Sequence, residues 1–327
     1  MFESYHCEKL EKTLHFLPDG VKFCCSCAEG TGIKINDFSK FNKEEIIKGK
    51  KKYIDLLKKG YIPKECKGCI EYKKNNLYKK IKSIFIKQHK NKITHIIIDH
   101  FKQCDSNCIY CSQKKLFSER TQNYELLPII KQLYEQNMID TENLKVEFQG
   151  GNISELKEFE DLMKEFYEHN CDDFVILMNG IKYIPILEEI GNNWKSHICI
   201  SLDAGTKETY KKIKNIDAFD QVIENIKRLK QKSKAQISLK YIIIKDVNDN
   251  KEELEKFLNV AKEIGNIQPL HLEIDYNDTL LSPGTRFDIP KHYYELFEEA
   301  ENYCRKNNIS YKVFPYTKHI LKQGYSI

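Results

Sequence analysis

The sequence predicts an α/β fold: a partial (βα)6 barrel over residues 91–327, preceded by a small, cysteine-rich and mostly helical module over residues 1–90. Three observations lead there. From about residue 93 onward, six short β-branched runs alternate with stretches of helical spacing. The first 90 residues lack that alternation and carry six of the twelve cysteines. Three further cysteines, Cys104, Cys108 and Cys111, share one loop directly behind the first predicted strand.

Strands are expected at Ile93–Asp99, Leu144–Phe148, Phe174–Met178, His197–Leu202, Ile237–Ile244 and Leu270–Ile274. Helices are expected between and after them at Tyr124–Asn137, Ser154–His169, Tyr183–Ile190, Ala218–Lys232, Lys251–Ile264 and Lys291–Lys306. Strands alternating with helices argue for parallel neighbours joined by right-handed crossovers, and sites in such sheets form at the carboxyl ends of the strands. The N-terminal segment contributes a Pro18-Asp19-Gly20 turn and two lysine-rich helical stretches, Lys43–Lys59 and Tyr72–Gln88. Its apolar surface is thin, so a metal or cluster is the expected source of its stability.

With 327 residues, 41% hydrophobic and 31% charged, the chain buries a sizeable core, which excludes disorder as its main description. No apolar run approaches the roughly 20 residues needed to cross a bilayer. The first residues show no secretory pattern, which leads to the expectation of a cytoplasmic protein. In a reducing compartment structural disulfides are rare, so metal ligation is the default use of the cysteines. Of the 53 basic residues only Arg120, Arg228, Arg286 and Arg305 are arginine, which argues against a dedicated phosphate-reading nucleic-acid binder. Charge is uneven: residues 40–92 hold 18 lysines against five acids, a local +13, and the rest of the chain carries −8. This is a solvated face or a docking surface for an anionic partner.

The loop Cys104-Asp105-Ser106-Asn107-Cys108-Ile109-Tyr110-Cys111 spaces its thiols so that one segment can wrap three corners of an iron–sulfur cubane and leave the fourth iron open. A zinc loop is the alternative, for which a fourth ligand is not found nearby in sequence. This triplet, with an aromatic just before its third cysteine and a strand before its first, closely resembles the radical S-adenosylmethionine (SAM) superfamily. The resemblance implies a [4Fe-4S] cluster on Cys104, Cys108 and Cys111, with SAM chelating the open iron through its amino and carboxylate groups. It further implies reductive cleavage of SAM to a 5′-deoxyadenosyl radical, an oxygen-sensitive enzyme, and a reductant such as flavodoxin or ferredoxin.

Further positions follow from the same resemblance. Tyr110 is the aromatic of the triplet, placed at the cofactor. Gly150-Gly151-Asn152 is similar to the superfamily's Gly-Gly-Glu segment at the SAM amino group, with Asn152 in place of glutamate; Asn152 and Glu155 are equally a helix-capping pair. Asn179-Gly180 resembles a position near the SAM ribose and methionine, and is also an ordinary turn signal. Ser201 and Asp203 resemble the Ser-x-Asp region that reaches ribose hydroxyls; a capped strand end is the alternative. Apart from the resemblance, Lys240 on the fifth expected strand is a candidate to reach the SAM carboxylate or a substrate anion; a lysine at a strand edge is the alternative. Cys199, on the same strand face as His197, Ser201 and Asp203, is a candidate hydrogen-atom donor to a substrate radical.

Cys7, followed by Gly20 and Cys24 or Cys25, resembles the opening of a SPASM domain, which implies one auxiliary [4Fe-4S] cluster. Its candidate ligands are Cys7, Cys24 or Cys25, Cys66 and Cys69, with zinc as the rival metal. The substrate is then a peptide or an anionic small molecule such as an activated sugar. The competing class is a zinc-binding, lysine-rich nucleic-acid-binding protein without catalysis.

Overall fold

A computed structural model describes residues 4–24, 32–34, 43–66, 69, 72–74, 92–111, 124–189, 195–265, 267–275, 289–313, 317–318 and 321. The chain divides into two compact units. The first comprises Met1–Gln103, Arg120–Gly151 and Leu156–Phe174; the second comprises Cys104–Glu119, Asn152–Glu155 and Val175–Ile327.

The first unit contains β1 (Tyr5–His6), α1 (Glu8–Lys12), β2 (Thr13–Leu17), β3 (Gly20–Lys22), β4 (Gly32–Lys34), α2 (Lys43–Lys58), β5 (Lys73–Lys74), β6 (His95–Ile98), α3 (Leu127–Glu135), β7 (Lys145–Phe148) and α4 (Phe159–Glu168). Its principal strands run in the order β4-β3-β2-β6-β7. β2, β6 and β7 are parallel, while β3 and β4 add antiparallel strands beyond β2. All four residues of β6 are buried, as a strand covered on both faces requires.

The expected boundary near residue 90 therefore needs correction. Residues 13–17 pair with β6 in the register Leu14↔Ile96 and Phe16↔Ile98, so this segment extends the parallel strands. Leu14 and Phe16 are fully buried, and the Pro18-Asp19 turn closes a hairpin onto β3. Among the described residues of this segment, five short strands accompany α1 and α2. α2 matches the expected helix, burying Ile46, Lys50, Tyr53 and Leu57 along one stripe. Of the second expected helix, Tyr72–Gln88, only 72–74 are described, and Lys73 and Lys74 there form β5. Cys25 and Cys27 lie outside the described residues.

The second unit contains β8 (Asp173–Met178, whose first two residues close the first unit), α5 (Ile186–Glu189), β9 (His197–Ser201), α6 (Lys207–Lys214), α7 (Phe219–Lys232), β10 (Gln236–Ile243), α8 (Lys251–Ile264), β11 (Leu270–Ile274), α9 (Lys291–Lys306) and β12 (Tyr311–Lys312). β8 to β12 run in chain order and are parallel at every junction. The helices bury amphipathic stripes, such as Phe219, Val222, Ile226 and Leu229 of α7. α6 was not among the expected helices. Thr206 caps it by accepting from Thr209 N at 3.2 Å, and Asn215 ends it in the left-handed conformation at φ 59°. Among the described residues no helix is long and apolar enough to cross a membrane.

Candidate cofactor site

The cysteine loop lies in the second unit, and its own backbone and polar residues shape it. Cys104, Cys108 and Cys111 are half-buried. The Ser106 hydroxyl stands between two of the thiols, 3.3 Å from Cys104 Sγ and 3.5 Å from Cys108 Sγ, and Cys111 N donates to Cys108 O at 3.2 Å. Burial pushes the Cys104 thiol up, with Ser106 opposing it. Asn107 N and Ile109 N donate to Lys214 O and Ile213 O at 3.0 and 2.9 Å. The last carbonyls of α6, which have no partner within the helix, are thus satisfied by the loop.

A buried triad ties the same loop to the end of β9. Tyr110 Oη donates to Asp203 Oδ2 at 2.7 Å, Lys214 Nζ donates to Tyr110 Oη at 2.9 Å, and Lys214 pairs directly with Asp203. Asp203 and Lys214 are 0% and 1% exposed. Burial works against the Lys214 ammonium, but the Asp203 carboxylate outweighs it and holds the amine charged. Burial, and then the same carboxylate, push the Tyr110 phenol well up. The other carboxylate oxygen of Asp203 accepts from Ile242 N at 2.9 Å. Asp203, placed at a ribose by resemblance, spends both oxygens inside the fold, and its φ of 60° turns the chain from β9 toward α6.

A second network joins Asp105, Asn152 and Asn179. Asp105 Oδ1 accepts from Asn179 Nδ2 at 2.5 Å and from Asn152 Nδ2 at 3.2 Å. Asn152 Oδ1 accepts from Asn179 N at 3.2 Å, and Asn152 Nδ2 also donates to Ser154 Oγ at 2.6 Å. Asn152 does not cap a helix, because α4 begins only at Phe159 and a short 3-10 turn, Ile153–Glu155, follows instead. Asp105 was not singled out in the sequence; a carboxylate between two cysteines is read by default as solvated.

The parallel strands place Cys199, Ser201 and Lys240 together. In register, Cys199 faces Ser238, Ser201 faces Lys240, and Lys240 faces His271. One side of β9, β10 and β11 thus carries His197, Cys199, Ser201, Ser238, Lys240, His271 and Glu273, while Ile198, Ile200, Leu239, Tyr241 and Leu272 occupy the other. Ser238, Cys199, Glu273 and His271 are at most 5% exposed. A polar yet buried strand face marks a site more than a core. His197 Nε2 lies 2.6 Å from Ser238 Oγ and its ring stacks on His271. Burial, then His197, lower the His271 pKa to about 3. Burial pushes the Cys199 thiol up, so it keeps its hydrogen.

Gly150 and Gly151 belong to the first unit. A Cβ on Gly151 would stand 2.0 Å from Gln103 O, and one on Gly150 would stand 2.3 Å from Asp99 Oδ1, with φ at +108° besides. Glycine is therefore demanded here by the close approach of residues 99–103. Those residues are fixed in turn. Asp99 pairs with Lys102 and, at 3.4 Å, with His15; the buried carboxylate is held below its usual range by His15 and Lys102 against the opposing effect of burial. His100 Nε2 meets Glu158 Oε1 at 3.0 Å, and Glu158 also accepts from Leu126 N and Leu127 N.

Among the N-terminal cysteines, Cys7 and Cys24 are buried and Cys66 and Cys69 half-buried. Burial raises the Cys7 thiol to about 11 against the opposing backbone hydrogen bond of Leu10, with Cys69 and Cys24 adding to the rise. The β1–β5 pairing, His6↔Lys73, draws the Cys7 and Cys69 segments together. Among the described residues no group of three or more His, Cys, Asp or Glu is gathered tightly enough to hold a metal ion. A cubane asks for a different arrangement, with each thiolate on a separate iron corner, and the three-thiol loop suits it by donor chemistry and number.

Strand, loop and glycine segment together define a class. The Radical SAM superfamily profile matches residues 98–261, half of the chain, and the chain belongs to that superfamily. It is similar to a probable GTP 3′,8-cyclase of Metallosphaera sedula, 26% identical over 211 residues, covering 64% of each chain. It is likewise similar to a GTP 3′,8-cyclase of Clostridium acetobutylicum, 26% identical over 184 residues, covering 55% of this chain and 56% of that one. The chain thus spans less than two thirds of the length of these curated relatives. In fold it is similar to Streptococcus suis SuiB bound to S-adenosylmethionine, with TM-score 0.56, 16% identity and coverage of 86% of this chain and 64% of that one. Native anSMEcpe with bound AdoMet gives TM-score 0.52, 17% identity and coverage of 67% and 63%. These curated relatives are named as enzymes.

Proposed function

We propose that Cys104, Cys108 and Cys111 hold a [4Fe-4S] cluster whose open iron takes SAM, and that the substrate is an anionic small molecule such as a nucleotide or an activated sugar. When bound, the cluster and SAM supply a 5′-deoxyadenosyl radical for hydrogen abstraction. The observation that carries the reading is the loop itself: three half-buried thiols, one short of a cubane's corners, in a segment fixed by α6 and by the Asp203–Lys214–Tyr110 triad.

The residues divide the work. Ser106 orients two thiols, Asp203 and Lys214 hold the loop through Tyr110, and the polar face of β9–β11 offers Lys240 to a negative group on the substrate. Cys199, buried and protonated on that face, is the available hydrogen donor. An anionic substrate is supported by Lys240, by the local +13 of residues 40–92 and by the nucleotide named in the curated relatives. Cys7, Cys24, Cys66 and Cys69 are proposed to hold one auxiliary [4Fe-4S] cluster.

The test is anaerobic reconstitution followed by reduction with SAM. Formation of 5′-deoxyadenosine that rises with GTP or a nucleotide sugar supports the reading, and its absence with every anionic substrate class rejects the substrate assignment. Lys240→Ala is expected to raise KM about 10–100-fold, as the loss of a charge-assisted hydrogen bond does.

A further inference from the structure

The two oxygens of Asp105 are treated differently. Oδ1 is clamped by Asn179 Nδ2 at 2.5 Å and Asn152 Nδ2 at 3.2 Å. Oδ2 is buried and accepts no hydrogen bond. A buried carboxylate oxygen without a donor is costly and calls for an explanation. Asn152 has nothing left to give it. Asn152 is 1% exposed, with its amide hydrogens on Asp105 and Ser154 and its oxygen on Asn179 N. The nearby Lys182 ammonium, which feels the Asp105 charge, is paired with Glu155. A second buried polar atom without a hydrogen bond stands at the same loop: Tyr210 Oη, on a residue 0% exposed. After burial, the charges acting on it are those of Cys108, Asp203, Asp105 and Cys104.

We propose that Asp105 Oδ2 accepts the amino group of SAM. The proposal rests on the radical SAM reading of the loop. An ionised carboxylate accepts only donors and favours a basic nitrogen over a neutral hydroxyl. The amino group is also the donor that this reading places on the open iron, and Asp105 lies between two of the cluster's thiols. Asn152 and Asn179 then act as positioning residues that aim the free oxygen.

The experiment is equilibrium binding of SAM to the full-length, anaerobically reconstituted protein, native and Asp105→Asn. Affinity is read per cluster from the change SAM causes in the electron paramagnetic resonance spectrum of the reduced protein. Asparagine keeps the size and the clamped carbonyl and replaces the free acceptor with a donor. The expected result is a Kd for SAM raised about 10–100-fold. An analogue with hydrogen in place of the amino group should bind both proteins equally, and Asp105→Glu should recover part of the affinity. Equal SAM affinity in the native and Asp105→Asn proteins overturns the proposal. So does an equal loss for the analogue, which would make Asp105 only a shaper of the loop. A native protein with its cluster in place and no response to SAM overturns the radical SAM reading itself.

Discussion

The Cys104–Cys111 loop and the N-terminal cysteines solve the same problem differently. In the loop, three thiols fall within eight residues, and the residues between them are spent on support. Asp105 is clamped by two asparagines, Ser106 bridges two thiols, Asn107 and Ile109 finish α6, and Tyr110 reaches the Asp203–Lys214 pair. Cys7, Cys24, Cys66 and Cys69, proposed as the ligands of a second cluster, come instead from positions far apart in the chain, and the ladder between the Cys7 and Cys69 segments is two residues long. Closing such long loops costs entropy that a bound metal offsets. A local site is organised by its fold before the cofactor arrives, whereas a dispersed one draws its order from the cofactor.

The sharpest way to break this contrast is to remove ligands from each set in turn. Cys108→Ala is expected to abolish 5′-deoxyadenosine formation outright. Cys66→Ala combined with Cys69→Ala should lower iron by about four per chain, one cubane, with the loop cluster still responsive to SAM. Iron analysis and electron paramagnetic resonance of both variants decide the matter, and loss of the SAM-responsive signal in the Cys66→Ala, Cys69→Ala protein would show that the sites are not independent. A smaller effect is expected at the loop's support. Lys214→Met leaves the Asp203 carboxylate buried without its cation, so denaturant unfolding should register a loss of about 3–5 kcal/mol. Adding Asp203→Leu should recover part of that loss, because the uncompensated charge goes with it. A single variant as stable as the native protein would show that solvent already reaches the pair.

What was legible in the sequence follows the same division between local and long-range causes. The six expected strands match β6 to β11 because buried parallel strands write themselves as β-branched runs, as in His95-Ile96-Ile97-Ile98. The cysteine loop was legible because its spacing is local. β2 was not: Thr13 and His15 interrupt its apolar pattern, although Pro18-Asp19-Gly20 marked the hairpin that it opens. α6 was hidden because it is mostly charged and buries only Tyr210, Ile213 and Lys214, although Thr206 signalled its start. Asp105, Asp99 and Lys214 could not be singled out, since charged residues are read as solvated until tertiary neighbours bury them. A close approach at Gly150 and Gly151 was expected, and what presses against them in the structure is the chain's own residues 99–103.

The smallest expected effect separates the two units by their response to acid. In the first unit, burial opposes the Glu147 carboxylate, but His95 and Lys145 lower its pKa from 4.5 to about 2. A depressed carboxylate contributes stability that is fully present above 4.5 and is lost as pH falls toward 2. In the second unit, burial lowers the His271 pKa from 6.5 to about 3, so between those values the unfolded chain binds a proton that the folded protein refuses. Stability therefore falls with acid in both, but the histidine begins to act first, below pH 6.5, where Glu147 is still silent. His271→Gln should flatten the stability profile between pH 6.5 and 3, by at most about 1.4 kcal/mol per pH unit, and leave only the Glu147 part of the drop below 4.5 in place. Urea unfolding midpoints at half-unit steps give the slope directly. An unchanged slope in the variant would mean that His271 takes up its proton in the folded protein as readily as in the unfolded chain.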